Sequence, residues 1–423
     1  MFKFTGIVIL DLTEGCNIGC KYCLMLNKDK HYGEVMPFET FKQIINKIIH
    51  QRILNDLADT PLTLVFHGGE PFSVGKANFY RFAEYAYTAF RNHGVNVNFG
   101  TQTNGTFLDE EYLRILRKFG FSLGLSLDDL GPGNDLRIED SEEFMREKLD
   151  IIEKSDIDSG IISVVTKQNV KTLPEFWKKI DVEYENIHGV TLLQFENPDA
   201  TTNAYDYAAT AEDYLPLYTE LIWDFSHGKT TDAKLGKGTF SMALSDILTD
   251  HNPYYQSGCG GKFCGTAIGM ISVRPDGWFG NCDRFPDETE FNNLLRVEDY
   301  DYHSIVQLKR AFDMARIKHD LVLNRGCDRC PADYFCSHGC MTFDYPALGE
   351  FTLNPEVCDL FLHIYHTFND NLIEICRNIA SGPQRVVSTE TIYSIKPEIK
   401  QRLLEGGIAI EQTGERELSL TLI

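Results

Sequence analysis

Apolar and polar residues alternate in two ways along the first half of the chain. Short apolar runs rich in β-branched residues predict six strands: IVILDLT (7–13), LTLVF (62–66), VNVNFGTQT (95–103), FSLGLSL (121–127), GIISVVT (160–166) and GVTLLQF (189–195). Amphipathic stretches between them, such as FETFKQIINKIIHQRIL and EEYLRILRKFG, predict helices. This repeat indicates an α/β fold with a parallel sheet, either doubly wound or closed into a partial (β/α)6 barrel. Chemistry in such arrays gathers at the C-terminal ends of the strands.

The strand–helix alternation ends near residue 200, so residues 1–200 are predicted to form the barrel. Residues 201–256 have a helical pattern and are predicted to be a connector. Residues 257–377 are rich in Gly, Asp and Cys, with a hairpin expected to turn at Pro275-Asp276-Gly277, and predict a small metal-stapled module. Residues 378–423 form a tail with one helical segment, KPEIKQRLLEG, and a final strand, ELSLTLI.

Composition narrows the class of partner. The chain has 423 residues, of which 43% are hydrophobic, enough for more than one core. Its formal net charge of -22 counts against a nucleic-acid partner and favours a basic or mixed-charge substrate, because affinity for a phosphate backbone rests on Lys and Arg. Neither a long apolar run nor a cleavable export signal is visible, so we expect a cytoplasmic protein without a membrane partner.

Cysteines mark two separate regions of candidate metal chemistry. In the cytosol the twelve cysteines would be reduced thiols, which favours metal binding or catalysis over disulfides. Cys16, Cys20 and Cys23 stand in a C-x3-C-x2-C pattern in the loop that leaves the first strand. A [4Fe–4S] cluster normally takes four thiolates, so three would leave one iron open to a ligand. The alternative interpretations are zinc with a distant fourth ligand, or thiols that are merely buried.

This spacing resembles that of the radical S-adenosylmethionine (SAM) superfamily, and the resemblance covers most of the first 200 residues. In that family SAM binds the open iron and is split by an electron from the cluster, which yields a 5′-deoxyadenosyl radical. The resemblance implies that Tyr22 lies against the adenine. It also implies that Gly68, Gly69 and Glu70 of the HGGEP segment meet the amino group of the SAM methionine.

Two further segments resemble strand ends of the peptide-modifying branch of the family. These segments are TQTNGT (101–106) and SLDD (126–129). Here the resemblance implies that Ser126 and Arg137 contact the carboxylate and ribose of SAM. For Ser126, a turn hydroxyl is the alternative interpretation. The family pattern is SLDG, whereas this chain has Asp129 in place of the Gly, so the resemblance defines the local backbone and the register of Arg137 less securely.

Eight more cysteines lie in the second region. They are enough for two further clusters with four thiolates each, and a pair of zinc sites is the alternative. Their order resembles the SPASM extension of radical SAM enzymes. The resemblance implies that Cys259, Cys264, Cys282 and Cys340 hold an inner auxiliary [4Fe–4S] cluster, and that Cys327, Cys330, Cys336 and Cys358 hold an outer one. The remaining Cys376, in an apolar helical run, is expected to be a buried and inert thiol.

Asp283 directly follows Cys282. A Cys-Asp pair at this place resembles anaerobic sulfatase-maturating enzymes, in which the Asp takes the proton as a Ser or Cys side chain is oxidised. A carboxylate held beside a cluster at a substrate pocket is a suitable base. The alternative is a structural capping or hydrogen-bonding role.

These patterns lead to one preferred function. We expect a radical SAM enzyme with three [4Fe–4S] clusters that matures a ribosomally synthesised peptide, forming a thioether or carbon–carbon crosslink or an oxidised residue as an auxiliary cluster accepts an electron. The rivals are formylglycine formation in a sulfatase, oxidation of a small-molecule alcohol, and a non-enzymatic electron carrier or zinc-stapled interaction protein. The expected partners are the peptide or protein substrate and a reductant such as flavodoxin or ferredoxin. Leader contacts would come from the 378–423 tail or from a separate leader-binding protein, since only fifteen residues precede Cys16.

Overall fold

A computed structural model describes most of the chain. The described residues are 6–23, 34–194, 206–229, 239–251, 269–280, 282–284, 295–323, 326–336, 355–382, 386–388, 392–414 and 417–423.

All six predicted strands are present in one parallel array. The strands are β1 (Gly6–Thr13), β2 (Leu62–Gly68), β3 (Val97–Thr103), β4 (Phe121–Ser126), β5 (Ser159–Val165) and β6 (Ile187–Gln194). They alternate with the helices α1 (Phe38–Leu54), α2 (Lys76–Asn92), α3 (Glu110–Phe119), α4 (Glu142–Glu153) and α5 (Leu173–Glu183). Each strand pairs in parallel with the next one in sequence, without a reversal of order. Right-handed crossovers that advance steadily place all five helices on one face, so the array is a partial barrel and not a doubly wound sheet.

Capping residues at both ends determine where α3 begins and ends. The side chain of Asp109 accepts hydrogen bonds from the backbone amides of Glu111 and Tyr112, both at 3.0 Å, which satisfies two amides of the first turn. Gly120 ends the helix in the left-handed region, at φ +69°.

The two faces of the barrel strands differ in chemistry. Leu10 of β1 and Phe66 of β2 are fully buried and pack with the apolar face of α1 in the main hydrophobic core. The rings of Phe41 and Phe66 meet edge to face with centroids 5.8 Å apart. Because side chains alternate along a strand, Asp11 and His67 point to the opposite face, which is the interior of the barrel.

A second group of strands extends the sheet beyond β1. These strands are β8 (Met270–Val273), β9 (Trp278–Gly280) and β10 (Leu295–Arg296). β8 pairs in parallel with the free side of β1, and β9 and β10 follow in antiparallel order. The predicted hairpin is confirmed, with Gly277 at φ +87° in its turn. The sheet therefore crosses the predicted boundary at 257, and the division of the chain into domains stays a prediction.

The remaining described elements are mostly helical, apart from the strands of the tail. The connector contains α6 (Ala211–Ser226), α7 (Thr239–Leu248) and β7 (Thr249–His251); α8 (Tyr302–Leu323), α9 (Asp333–Cys336), α10 (Pro355–Asp370) and α11 (Leu372–Ser381) follow β10. The tail contains β11 (Val386–Ser388), β12 (Ile392–Ile395), α12 (Pro397–Glu405), β13 (Ile408–Gly414) and β14 (Glu417–Leu422). β12 pairs with β7, while β11, β14 and β13 form a separate antiparallel sheet. In the described parts of the chain, no helix combines the length and apolar character needed to cross a bilayer.

Cys376 is a buried thiol in α11, as predicted. Its side chain is fully excluded from solvent, and burial raises its pKa to about 12. A thiol with so high a pKa stays protonated and unreactive at neutral pH.

Candidate functional site

The first three cysteines lie in a loop at the C-terminal end of β1. Cys20 is buried, and its carbonyl oxygen accepts a hydrogen bond from the amide of Cys23 at 3.1 Å. The amide of Lys21 donates to the carbonyl of Leu136 at 2.8 Å, which joins this loop to the segment that follows β4. The loop is thus shaped by backbone contacts within the protein.

Gly68 and Gly69 provide the surface against which this loop packs. The amide of Gly69 donates to the carbonyl of Thr13 at 2.9 Å, and the amide of Glu70 donates to that of Gly15 at 2.9 Å. A Cβ atom on Gly68 would lie 2.2 Å from the Thr13 oxygen, and one on Gly69 would lie 2.4 Å from the Gly15 oxygen. Gly68 also has a φ of +119°, which L side chains rarely adopt. These glycines are therefore required for close packing of the cysteine loop on the end of β2.

Glu70 connects the ends of β2 and β3. Its side chain is only 1% exposed. One carboxylate oxygen accepts hydrogen bonds from the Phe72 amide at 3.0 Å and the Thr103 hydroxyl at 2.7 Å, and the other accepts from the Asn104 amide at 2.8 Å. Burial raises the pKa of Glu70, while these hydrogen bonds act to lower it. Carboxylate oxygens have further lone pairs, and the expected contact of Glu70 with the SAM amino group stays a prediction.

Two side-chain donors point at the thiols. Asn104 Nδ2 lies 3.6 Å from Cys16 Sγ, and an Arg137 guanidinium nitrogen lies 3.9 Å from Cys20 Sγ. Burial raises the pKa of Cys16 and raises that of Cys20 to about 11, although the charge of Arg137 acts to lower the latter. Donors directed at sulfur stabilise thiolates and are the kind of contact that tunes an iron–sulfur cluster. In the described segments, no three metal-ligating side chains converge on one ion position. Three thiols on one loop with donors to sulfur suit the corners of a cube, so these residues fit the expected cluster.

Asp128 is a central residue that the sequence analysis did not single out. It is completely buried, and it accepts hydrogen bonds from Arg137 Nε at 3.0 Å, from the Val164 amide at 2.9 Å and from the hydroxyl of Tyr22. The guanidinium of Arg137 also lies 5.4 Å from the centre of the Tyr22 ring. Asp128 thereby brings two predicted SAM-binding residues together beside Cys20. Its position two residues after Ser126 in SLDD is the signal that could have identified it.

Burial and the Asp128–Arg137 ion pair shift the pKa values of Tyr22 and Arg137. Burial raises the pKa of Tyr22 well above its usual value, which keeps the phenol neutral. Burial is the largest single influence and acts to lower the pKa of Arg137, but the charges of Asp128, Tyr22 and Cys20 and the hydrogen bond to Asp128 together outweigh it, so the net shift is upward. The roles of Tyr22 and Arg137 toward SAM stay predictions.

The substitution of Asp129 for the family glycine does not displace Arg137 from the cysteine loop. Asp129 is buried and accepts a hydrogen bond from the Thr172 hydroxyl at 2.7 Å, beside the start of α5. Burial raises its pKa. Ser126, the last residue of β4, accepts a hydrogen bond from Gln102 Nε2 at 2.8 Å. This contact places Ser126 next to β3, and its expected contact with SAM stays a prediction.

Asp11 and His67 form a polar pair on the interior face that the sequence analysis also missed. They are register partners on the parallel strands β1 and β2, and His67 Nδ1 lies 3.5 Å from Asp11 Oδ1. A carboxylate inside the otherwise apolar run IVILDLT was the available signal. The charge of Asp283, in the segment after β9, acts to raise the pKa of both residues.

The second cysteine region is described in part. Cys282 is 6% exposed, and its thiol lies 3.5 Å from Asp283 Oδ1. Cys327 and Cys330 flank a short turn in which the Cys330 amide donates to the Cys327 carbonyl at 3.0 Å. Cys336 ends α9, and Cys358 lies in α10. Cys259, Cys264 and Cys340 lie outside the described residues, and both auxiliary ligand sets stay predictions.

Comparisons with known proteins agree with this geometry. Residues 10–180 match the radical SAM superfamily. The cysteine-type anaerobic sulfatase-maturating enzyme of Clostridium novyi is 23% identical over 394 residues, covering 89% of this chain and 99% of the relative. The serine-type enzyme of Klebsiella aerogenes is 25% identical over 374 residues, covering 86% of this chain and 85% of the relative.

Solved structures share the fold. Native anSMEcpe with bound AdoMet superposes with a TM-score of 0.68 at 21% identity, covering 88% of this chain and 100% of that chain. Streptococcus suis SuiB bound to S-adenosylmethionine superposes with a TM-score of 0.52 at 15% identity, covering 80% of this chain and 74% of that chain. The comparisons thus identify residues 10–180 of this chain as similar to the radical SAM domain, within a fold shared with anSMEcpe and SuiB.

Proposed function

We propose that the protein modifies a residue of a ribosomally synthesised peptide by radical chemistry, and that the product is a thioether or carbon–carbon crosslink or an oxidised side chain. One observation carries the proposal. The charge of Asp283, which directly follows Cys282, acts on both Asp11 and His67 near the ends of β1 and β2. This supports a candidate proton acceptor near the strand end from which the Cys16–Cys23 loop, the proposed site of the radical source, departs.

Cys16, Cys20 and Cys23 would hold the catalytic cluster, and the two predicted sets of four cysteines would hold the auxiliary ones. When bound, a [4Fe–4S] cluster with SAM supplies a 5′-deoxyadenosyl radical, and a saturated cluster supplies a one-electron acceptor. The protein contributes orientation, exclusion of water and proton transfer. Asn104 and Arg137 direct hydrogen bonds at the cysteine sulfurs, and Asp128 holds Arg137 in place.

Asp283 is one candidate acceptor for the proton that the oxidised residue loses. Its position beside the interior pair supports this role, as does the general suitability of a carboxylate near a substrate pocket. The alternative is that Asp283 only accepts a hydrogen bond from the Cys282 thiol, 3.5 Å away.

A second candidate function is maturation of a sulfatase to its formylglycine form. The similarity to anaerobic sulfatase-maturating enzymes over most of both chains favours it. Solved structures of anSMEcpe include complexes with the Cp18Cys and Kp18Cys peptides, which supports a peptide substrate for both candidates. In either case we propose flavodoxin or ferredoxin as reductant, and a separate protein or the 378–423 tail for any leader contacts.

Anaerobic turnover separates these functions. Reconstituted enzyme would be incubated with SAM, a reductant, and either a peptide from a neighbouring short reading frame or a Cys- or Ser-containing sulfatase peptide. Peptide maturation predicts 5′-deoxyadenosine together with loss of two hydrogens from the first peptide. An aldehyde in the second peptide would instead establish sulfatase maturation. Release of 5′-deoxyadenosine without change in any peptide would contradict both candidates, and a complete lack of SAM cleavage would favour an electron carrier.

A further inference from the structure

The Asp11–His67 pair is built as a histidine–carboxylate dyad facing the interior of the barrel. Asp11 is 7% exposed, and among the described residues its Oδ1 atom has no hydrogen-bond partner of ordinary geometry. That oxygen lies 3.5 Å from His67 Nδ1, at the outer limit of a hydrogen bond. The His67 side chain keeps 31% of its surface exposed, so a bound molecule can reach the ring.

This arrangement suits a proton acceptor. A carboxylate behind Nδ1 orients the imidazole, selects the tautomer whose Nε2 is an acceptor, and stabilises the imidazolium once it forms. The pair has no packing role that an apolar residue would not fill better, since a buried carboxylate is costly without a partner. Its location at the ends of β1 and β2 is where a parallel βα array places its chemistry.

We propose that His67, oriented by Asp11, accepts the proton that the substrate residue loses when it is oxidised. The inference rests on the proposed function and deepens it. After one hydrogen atom has passed to the 5′-deoxyadenosyl radical, the substrate radical gives one electron to an iron–sulfur acceptor. The proton from its S–H, O–H, N–H or C–H bond passes to His67 Nε2, and the electron pair left behind forms the new double bond or crosslink. In this assignment Asp283 is a neighbouring charge and not the acceptor.

Several charged groups around the Asp11–His67 pair set the pKa of His67. Burial acts to lower the pKa of His67, but the hydrogen bond to Asp11 and its charge, together with Asp283 and Glu70, leave the pKa raised. The charge of Arg274, whose guanidinium lies 2.6 Å from Glu14, also acts on Asp11 to lower the pKa of that carboxyl. An acceptor must start neutral, so product formation is expected to rise with pH through the raised pKa of His67.

The test measures how much modified peptide the cluster-loaded enzyme forms per 5′-deoxyadenosine released, which we call coupling. His67→Gln should leave 5′-deoxyadenosine formation within about twofold of the wild type, while modified peptide per 5′-deoxyadenosine falls about 10²-fold, the usual contribution of a general base. Asp11→Asn keeps the imidazole but removes the charge that raises its pKa, so the acidic limb of the pH profile should move to lower pH. Histidine-selective NMR titration of the loaded protein reports the same shift of the His67 pKa independently of turnover.

His50→Gln, a change at an exposed histidine of α1, is the matched control and should alter neither coupling nor the pH profile. Normal coupling in His67→Gln, or an unmoved acidic limb in Asp11→Asn, would overturn the assignment and leave Asp283 as the acceptor. The wild-type reaction keeps the two proposals apart. If wild type cleaves SAM but modifies no peptide, the proposed function fails; if wild type modifies peptide and His67→Gln does so equally well, only this inference fails.

Discussion

The two cysteine regions are supported in different ways. The Cys16–Cys23 loop is held by backbone hydrogen bonds to the end of β2 and to Leu136, and by the buried Asp128 network. In the second region, Cys327, Cys330 and Cys336 lie on or beside two elements of three and four residues. Elements this short are marginal without tertiary support. The comparison teaches that contacts of the fold shape the first loop, and we expect the second region, whose described cysteines lie on such short elements, to depend more strongly on its predicted metal.

Removal of metal ligands should produce the largest difference in protection between the two cysteine regions. Replacing Cys327 and Cys330 together by Ser should remove about one third of the iron, one cube of three, and expose residues 326–336 to proteolysis, because metal binding contributes directly to folding in such modules. Cys20→Ser should also remove one cube but leave the amides of β1–β4 protected. Iron analysis, limited proteolysis and hydrogen exchange measure these effects. Equal loss of protection in both variants would show that the first loop is metal-dependent too.

Neutralising Asp128 should have the next largest effect. Asp128→Asn leaves the guanidinium of Arg137 buried without its counter-charge, and we expect the free energy of unfolding to fall by about 3–5 kcal/mol. Denaturant unfolding under anaerobic conditions measures it. The control is Glu139→Gln, which removes the exposed Lys21–Glu139 pair at 3.4 Å between the same two segments and should cost less than about 1 kcal/mol. Similar losses of unfolding free energy in the two variants would show that the buried Asp128–Arg137 pair stabilises the protein no more than an exposed pair does.

The glycine at the end of β2 should show a smaller effect on the same loop. In Gly69→Ala the new Cβ would lie 2.4 Å from the Gly15 oxygen, so the cysteine loop must shift, at a cost of about 1–3 kcal/mol. Gly19→Ala in the same loop is the control, since its Cβ would meet nothing within 4 Å. Thermal unfolding compares the two, and a Gly69→Ala variant as stable as the control would contradict the packing argument.

Local pattern sufficed for most of the fold. The helix FETFKQIINKIIHQRIL was predicted over the residues that α1 occupies, because its apolar positions recur with the helical period. The observed strand boundaries differ from the predicted ones by only a few residues, because apolar, β-branched runs mark the strands. Periodicity left open the choice between a doubly wound sheet and a barrel, since that choice depends on strand order, which periodicity does not encode. The partial barrel was predicted from the family resemblance, and the observed strand order confirms it.

The residues of the candidate site likewise fall into those that the local sequence reveals and those that it does not. Cys16, Cys20, Cys23 and the HGGEP and SLDD segments were visible because their chemistry lies in residues close together in sequence. Asp128, Asp11 and His67 were not recognised as functional groups, since their partners are not their neighbours in sequence. Asp128 contacts Arg137 and Tyr22, 9 and 106 positions away, and Asp11 and His67 meet each other across neighbouring strands. Asp283 acts on that pair electrostatically, although it lies more than two hundred residues away in sequence.

The sequence alone determined the kinds of element, the family-like cysteine spacing and the set of thiols available for clusters, because these are properties of neighbouring residues. Only the tertiary structure decided which carboxylate meets which cation and which histidine faces the barrel interior. Such contacts join residues from 9 to 260 positions apart, and their strength comes from burial, which exists only once the strands have assembled.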